Sequence, residues 1–180
     1  PDGKKVAYVS ERNVYVEDLL NGSIKKLTDD KGTPKLINGT FDWVYEEEFS
    51  CRDGFRWSPD GASIAFWQLD AEGVRHFLMI NNTDSVYSYT IPVEYPKAGG
   101  VNSAARVGVI SSAGGETVWC DVPGDLRNNY IPRMEWAGNS DEIVIQRMNR
   151  HQNVNRVMLC DAATGAMQTV LTETDAAYLD

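Results

Sequence analysis

Short runs of alternating apolar and polar residues recur along the chain, and each run follows a cluster of turn-forming residues. Three such runs cover residues 4–9, 62–67 and 142–146. Turns rich in Pro, Asp, Asn and Gly precede them at residues 1–3, 59–61 and 138–141. A period of two, combined with β-branched and aromatic residues, is typical of strands. The pattern therefore predicts an antiparallel β protein, and no stretch longer than about ten residues shows a convincing helical period.

The first and third runs continue into matching tails. Residues 14–27 and 157–170 align without a gap, and each reads as a strand, a Gly-containing turn and a further strand. A unit of strand, hairpin, strand, turn and strand covers about 40–50 residues, which is the period of a β-propeller blade. A β-sandwich built from several similar hairpins is the alternative.

We therefore expect an all-β fold, a partial β-propeller of four-stranded antiparallel blades, interrupted by a short insertion. A turn at residue 1 further suggests that the chain is part of a longer protein and that a strand precedes it. The predicted division is a blade at 1–37, an insertion at 38–56, a blade at 57–95, a divergent blade at 96–133 and a blade at 134–180.

The predicted insertion carries three consecutive carboxylates, Glu46, Glu47 and Glu48, after an aromatic-rich segment. Like charges placed together raise carboxylate pKa values and cost stability. A protein tolerates such a cluster where a cation completes it. A primary ammonium offers three donors and one positive charge, which two carboxylates can accept. From these residues alone, a cation or amine site and a solvated acidic turn both remain open.

Charge and length exclude several classes of protein. Lys and Arg number 17 and Asp and Glu number 26, giving a net charge of −9 over 180 residues, so the chain repels phosphate backbones and we expect no nucleic-acid binding. No run approaches the ~18 uncharged apolar residues of a membrane helix.

Cys51, Cys120 and Cys160 lack metal-binding spacing and are expected in the core, although one disulfide remains possible. We expect neither a metal nor a cofactor.

Catalytic motifs are missing from this sequence. It contains no Gly-x-Ser-x-Gly nucleophile elbow, no phosphate-binding loop and only two histidines, His76 and His151. Neither histidine lies near a nucleophile in the pattern, and both are expected to be structural or solvated. The chain by itself is therefore predicted not to be catalytic.

The segment 42–48 resembles the double-glutamate motif of the dipeptidyl peptidase IV family. Further stretches similar to that family follow in the same order at residues 57–61, 93–102 and 143–161, so the resemblance covers essentially the whole chain. The acidic motif is the most specific of these stretches. The residues that support it are Asp42, Trp43, Tyr45 and Glu46.

The resemblance implies a fold and a role. Members of this family carry an eight-bladed propeller, of which this chain would be about half, and a C-terminal α/β-hydrolase domain with a Ser-Asp-His triad. They release dipeptides whose second residue is proline or alanine. By position in the motif, Glu47 and Glu48 would bind the α-ammonium of the substrate, Glu46 would be structural, and Ser50 would be a further substrate contact. The family's carbonyl-binding arginine has no match here.

Three readings of the intact protein follow. It is a serine dipeptidyl peptidase, a non-catalytic propeller that binds a peptide or protein partner, or a tripeptidyl or acylaminoacyl relative. The acidic motif disfavours the last, because acylated termini need no acidic anchor. The resemblance to bacterial members suggests export to the periplasm or cell envelope. Open blade flanks suggest that the chain associates with itself.

Overall fold

The computed structural model describes residues 1–179 as a set of antiparallel sheets and one short helix. In chain order the elements are β1 (Lys5–Ser10), β2 (Asn13–Asp18), β3 (Ile24–Lys26), β4 (Leu36–Asn38), α1 (Trp43–Glu47), β5 (Phe55–Trp57), β6 (Ser63–Asp70), β7 (His76–Asn81), β8 (Tyr89–Glu94), β9 (Ala104–Ser111), β10 (Val118–Trp119), β11 (Asn129–Trp136), β12 (Glu142–Asn149), β13 (Val154–Asp161) and β14 (Met167–Thr174). No helix among these residues is long and apolar enough to cross a membrane.

Three blade-like sheets account for most of these strands. Within residues 1–179, the first sheet has the order β1-β2-β3, the second has the order β10-β9-β6-β4 with β5 also paired to β6, and the third has the order β11-β12-β13-β14. Each sheet is antiparallel, and the third is a four-stranded meander. The expected all-β partial propeller is confirmed, with three blade-like sheets in the described residues where the sequence predicted four blades.

The matching tails owe their similarity to the same turn. Asp18 accepts hydrogen bonds on its carboxylate from the backbone N–H groups of Leu20 and Asn21, at 2.9 and 3.2 Å. Asp161, at the equivalent position of the third sheet, accepts from the two corresponding N–H groups at 3.0 and 2.8 Å. An aspartate that bonds the backbone two or three residues ahead stabilises such turns. The repeat therefore reflects shared turn chemistry as well as a shared strand pattern.

The predicted boundary between residues 95 and 96 is wrong as a division between blades. Strands β6 and β9 pair along eight residues, from Ser63 opposite Ser111 to Asp70 opposite Ala104, so both belong to the second sheet. The intervening β7 and β8 pair only with each other and form a separate hairpin. Because this hairpin has the same turn residues and apolar runs as a blade, its sequence mimicked the end of one blade and the start of another.

Two other predicted boundaries also shift. Strand β4 pairs with β6, which places Leu36 and Ile37 in the second sheet and not in the first. Strand β11 runs through the boundary predicted at residues 133 and 134, so the third sheet begins at Asn129. The insertion predicted at 38–56 does contain the helix, but it begins within β4 and ends within β5.

The second sheet forms the centre of the structure because it is buried on both faces. Along β6, Ile64 and Phe66 face the first sheet and join Val14 and Val16 in one cluster. The alternate residues of β6, including Trp67, join a larger cluster with the third sheet. Side chains of a strand alternate between its faces, so β6 contributes to both cores. All three cysteines are buried and free, as packing residues.

A hydrogen bond from Trp67 ties the second sheet to the third. Its indole N–H donates to the carbonyl of Ile131 at 2.9 Å, and the ring is 2% exposed. Trp67→Phe should lower the free energy of unfolding by roughly 1–3 kcal/mol, because it leaves a buried carbonyl without its donor. Urea denaturation measures this loss.

Trp119→Phe is the matched control. Within residues 1–179 the Trp119 indole N–H has no hydrogen-bond partner, and its ring packs on Phe66. A loss as large in Trp119→Phe as in Trp67→Phe would show that ring size and not the hydrogen bond decides the stability.

Candidate functional site

The acidic motif forms helix α1, which begins immediately after Asp42. The Asp42 side chain accepts a hydrogen bond from the backbone N–H of Tyr45 at 3.1 Å and so caps the helix N-terminus. The helix contains five residues, Trp43–Glu47, and Glu48 is its C-cap. Helices this short are unstable alone in water. Contacts with the rest of the fold must therefore hold α1 in place.

Tyr45 provides the deepest of these contacts. Its side chain is 2% exposed, and its hydroxyl accepts a hydrogen bond from the backbone N–H of Ile131 at 2.9 Å. The ring stacks on Phe41 with a centroid distance of 5.7 Å and packs against Phe49 at 5.4 Å. Burial raises the pKa of the Tyr45 phenol, so the group stays neutral.

An irregularity in β11 makes the contact with Ile131 possible. The pairing of β11 with β12 shifts register between Tyr130 and Arg133. The backbone of Ile131 therefore bonds two side chains from outside the third sheet, donating to Tyr45 and accepting from Trp67. The neighbouring Pro132 has no N–H to offer a strand, and this residue type is confined to edges and bulges. Pro132 is thus the sequence signal for this irregularity.

Asp42 is a buried carboxylate held by hydrogen bonds alone. It is 6% exposed, and within residues 1–179 it forms no ion pair. The hydroxyl of Ser103 donates to its second oxygen at 2.6 Å. Burial raises the pKa of Asp42, while the hydrogen bonds from Ser103 and from the helix backbone act in the opposite direction.

The three glutamates differ in exposure. Glu46 is half-buried, whereas Glu47 and Glu48 are exposed. No lysine, arginine or histidine side chain in residues 1–179 forms an ion pair with any of them. Two adjacent carboxylates therefore face solvent with their hydrogen-bonding capacity free. Such a pair can accept a cationic group that offers several N–H donors.

Two cavities flank Glu48. One, of about 520 Å³, lies towards Trp43, Tyr95 and Arg150. The other, of about 500 Å³, lies towards Ser50 and Arg133. Ser50 is exposed, and its φ of 55° is in the left-handed region. The structure therefore brings Glu48 and Ser50 together at one cavity, while Glu47 lines neither cavity.

A second aromatic contact of the motif involves Trp43, the first residue of α1. Trp43 packs against Tyr95, with ring centroids 4.2 Å apart. Tyr95 belongs to a segment that resembles the family, but no role was predicted for it. Neither Ser103 nor Ile131 was predicted as part of the site. A serine and a backbone amide carry no motif of their own, and only the fold brings them to residues 60 or more positions away.

Replacing Asp42 by Asn tests the buried carboxylate. Asparagine can still accept from the Tyr45 N–H, and it is a good N-cap residue. The pKa of Asp42 is raised in the folded state, so its ionisation opposes folding, and this group's contribution to stability falls as pH rises through that pKa. The free energy of unfolding of Asp42→Asn, relative to wild type, should therefore increase from about pH 3 to about pH 7.

Chemical denaturation across that pH range measures the difference between the two proteins. A difference that stays constant with pH would mean that burial does not perturb Asp42.

Comparison of the sequence with known proteins shows the family to which it is similar. The family described as the dipeptidyl peptidase IV (DPP IV) N-terminal region matches residues 1–180. The chain is 30% identical over 168 residues to inactive dipeptidyl peptidase 10 of Mus musculus, covering 91% of this chain and 21% of that protein. It is 31% identical over 194 residues to a probable dipeptidyl-aminopeptidase B of Chaetomium globosum, covering 100% of this chain and 20% of that protein.

Solved structures agree with the sequence comparisons. The crystal structure of Porphyromonas gingivalis dipeptidyl peptidase 4 matches with a TM-score of 0.92 and 30% identity, over 100% of this chain and 26% of that chain. The chain thus spans about a fifth of the length of the curated relatives it matches. Since the family match extends over every residue, the chain belongs to the dipeptidyl peptidase IV N-terminal region family.

Proposed function

We propose that this chain is the part of a dipeptidyl peptidase that anchors the free amino terminus of a peptide substrate, with Glu47 and Glu48 as ligands of the α-ammonium. The observation that carries the proposal is the pair of exposed carboxylates without a cationic partner, on a short helix held by buried contacts. The similarity to a probable dipeptidyl-aminopeptidase B and to a solved dipeptidyl peptidase 4 supports a peptidase as the intact protein.

The chemistry of the α-ammonium suits this pair. The α-amino group has a pKa of about 7.7–8.0 and is mostly charged at neutral pH. Hydrogen bonds between charged groups are roughly twice as strong as neutral ones. Glu47 and Glu48 orient the substrate in this proposal and transfer no proton. Glu46, which is half-buried, supports the helix, and Ser50 is a further substrate contact on the same cavity as Glu48.

A fixed anchor also sets where the substrate is cut. One extended residue spans at most ~3.3–3.6 Å, so a nucleophile held two residues from the ammonium site releases only dipeptides. The bond cleaved would be the one after proline or alanine at the second position. The resemblance to the family implies that the nucleophile belongs to a C-terminal α/β-hydrolase domain with a Ser-Asp-His triad, and this sequence contains no nucleophile elbow of its own.

The test compares a Gly-Pro-amide reporter with its N-acetylated form, using the intact protein. Wild type should cleave only the free-amine form. Glu47→Gln/Glu48→Gln should lower kcat/KM by about 100-fold or more, since each hydrogen bond between charged groups contributes about 1.5–3 kcal/mol and 1.4 kcal/mol is a factor of ten.

Glu116→Gln is the matched control, because it removes an exposed carboxylate outside the acidic motif and should change kcat/KM little. Equal cleavage of both reporters, with the double variant unchanged, would mean that the acidic turn is only solvated and would overturn the anchoring role.

A second candidate function is a non-catalytic propeller that binds a peptide or protein partner. The similarity to a mouse protein named inactive dipeptidyl peptidase 10 favours it, since that relative is 30% identical over 91% of this chain. An intact protein that binds Gly-Pro peptides through Glu47 and Glu48 without cleaving them would support this candidate over the peptidase.

We also propose that the protein associates with a second copy of itself through apolar surface that its own fold leaves uncovered. The β7–β8 hairpin exposes large apolar side chains on both faces. Their exposed fractions are 49% for Phe77, 58% for Leu78, 52% for Met79, 67% for Ile80 and 40% for Ile91. A lone two-stranded hairpin is marginally stable in water, and exposed apolar patches commonly mark interaction sites.

Sedimentation equilibrium of the intact protein tests this association. We expect wild type to form a dimer and Leu78→Lys/Ile80→Lys to shift the distribution towards the monomer. A wild-type protein that remains monomeric at high concentration would contradict the proposal.

A further inference from the structure

The buried end of the acidic helix is fixed by a residue from a distant segment. Ser103 precedes β9 and is 4% exposed. Its hydroxyl donates to Asp42 at 2.6 Å, across 61 positions of sequence. Asp42 uses its other carboxylate oxygen to cap α1 through the N–H of Tyr45. Ser103 therefore acts on α1 through Asp42 and does not touch Glu47 or Glu48 by these contacts.

This contact determines how firmly the first turn of α1 is held. A five-residue helix has little stability of its own, and Glu48 lies only six positions after Asp42. At 1.5 Å of rise per residue, the backbone of Glu48 stands within about 10 Å of the cap along the helix axis. A change in the orientation of the cap thus shifts both glutamates and weakens the hydrogen bonds that they can form with an ammonium group.

The same segment also supports the other end of the helix. Asn102, adjacent to Ser103, donates from its side-chain amide to the hydroxyl of Tyr130 at 2.9 Å. The Tyr130 ring packs against Phe49, with centroids 5.1 Å apart, just beyond Glu48. Residues 102 and 103 consequently reach the helix near its start and near its end.

We propose that Ser103 is a positioning residue for the ammonium anchor: its hydrogen bond to Asp42 sets the orientation of α1 and thereby the places of Glu47 and Glu48. The inference rests on the proposed anchoring role of these two glutamates. Ser103 lies outside the acidic motif, and it touches no reacting atom.

The experiment measures KM and kcat for the free-amine Gly-Pro-amide reporter in the intact protein. Ser103→Ala should raise KM by about tenfold, because a misplaced anchor weakens substrate binding, and should leave kcat within about twofold. Ser103→Thr retains the hydroxyl and should restore most of the affinity.

Ser112→Ala is the matched control. Ser112 directly follows β9 at its opposite end, is also buried, and hydrogen-bonds to Lys5 and Gly61, far in the fold from α1. It should leave KM unchanged. A KM increase of the same size in Ser112→Ala would mean that both serines act through general stability, and this would overturn the inference.

A double-mutant cycle with Asp42→Ala, which removes both hydrogen bonds of the carboxylate, keeps the inference testable if one variant is less stable. If Ser103 acts through Asp42, Ser103→Ala should change KM much less in the Asp42→Ala background than in wild type. Equal changes in both backgrounds would overturn the proposed route, as would an effect of Ser103→Ala on kcat alone.

Including Glu47→Gln/Glu48→Gln in the series separates the two proposals. If this variant raises KM and Ser103→Ala does not, the positioning role is wrong and the anchoring role stands. If neither changes KM, the anchoring role is wrong and the positioning role falls with it.

Discussion

The position of the acidic helix depends on the hydrogen bond between the Tyr45 hydroxyl and the Ile131 backbone N–H. It connects an isolated five-residue helix to the third sheet, and the same peptide segment accepts from Trp67 of the second sheet. Both backbone groups of Ile131 are buried, and buried backbone groups without partners are costly. The N–H and carbonyl of Ile131 therefore have hydrogen-bond partners only when α1 and the second sheet are in place. The position of α1 and the packing of the core thus depend on each other.

This arrangement explains how the chain keeps two carboxylates free. The fold buries the neutral Tyr45 and the capping Asp42 of the motif and leaves Glu47 and Glu48 in solvent. Five lysine or arginine side chains in residues 1–179 pair with other carboxylates, as Lys35 does with Glu94 and Arg127 with Asp70, and none pairs with Glu47 or Glu48. A preorganised ammonium site requires rigid support and unpaired negative charge, because little conformational entropy is then lost when the ligand binds.

The sequence was most informative where local chemistry decides local structure. The aspartates that close the turns at residues 18 and 161 repeat with the strands around them, so the blade pattern was visible without the fold. The β7–β8 hairpin was misassigned because strand patterns do not reveal which strands pair. Only the pairing of β6 with β9 shows that the hairpin is inserted within one sheet. Likewise the acidic motif was recognisable, whereas Ser103 was not, because its contact with Asp42 exists only in three dimensions.

A crystal structure of the intact protein with a peptide that has a free amino terminus and resists cleavage would test the central claim most directly. The account predicts the α-ammonium nitrogen at about 2.7–2.9 Å from carboxylate oxygens of both Glu47 and Glu48, with Tyr45 still bound to Ile131. A peptide whose amino terminus lies elsewhere, with both carboxylates left in solvent, would contradict it.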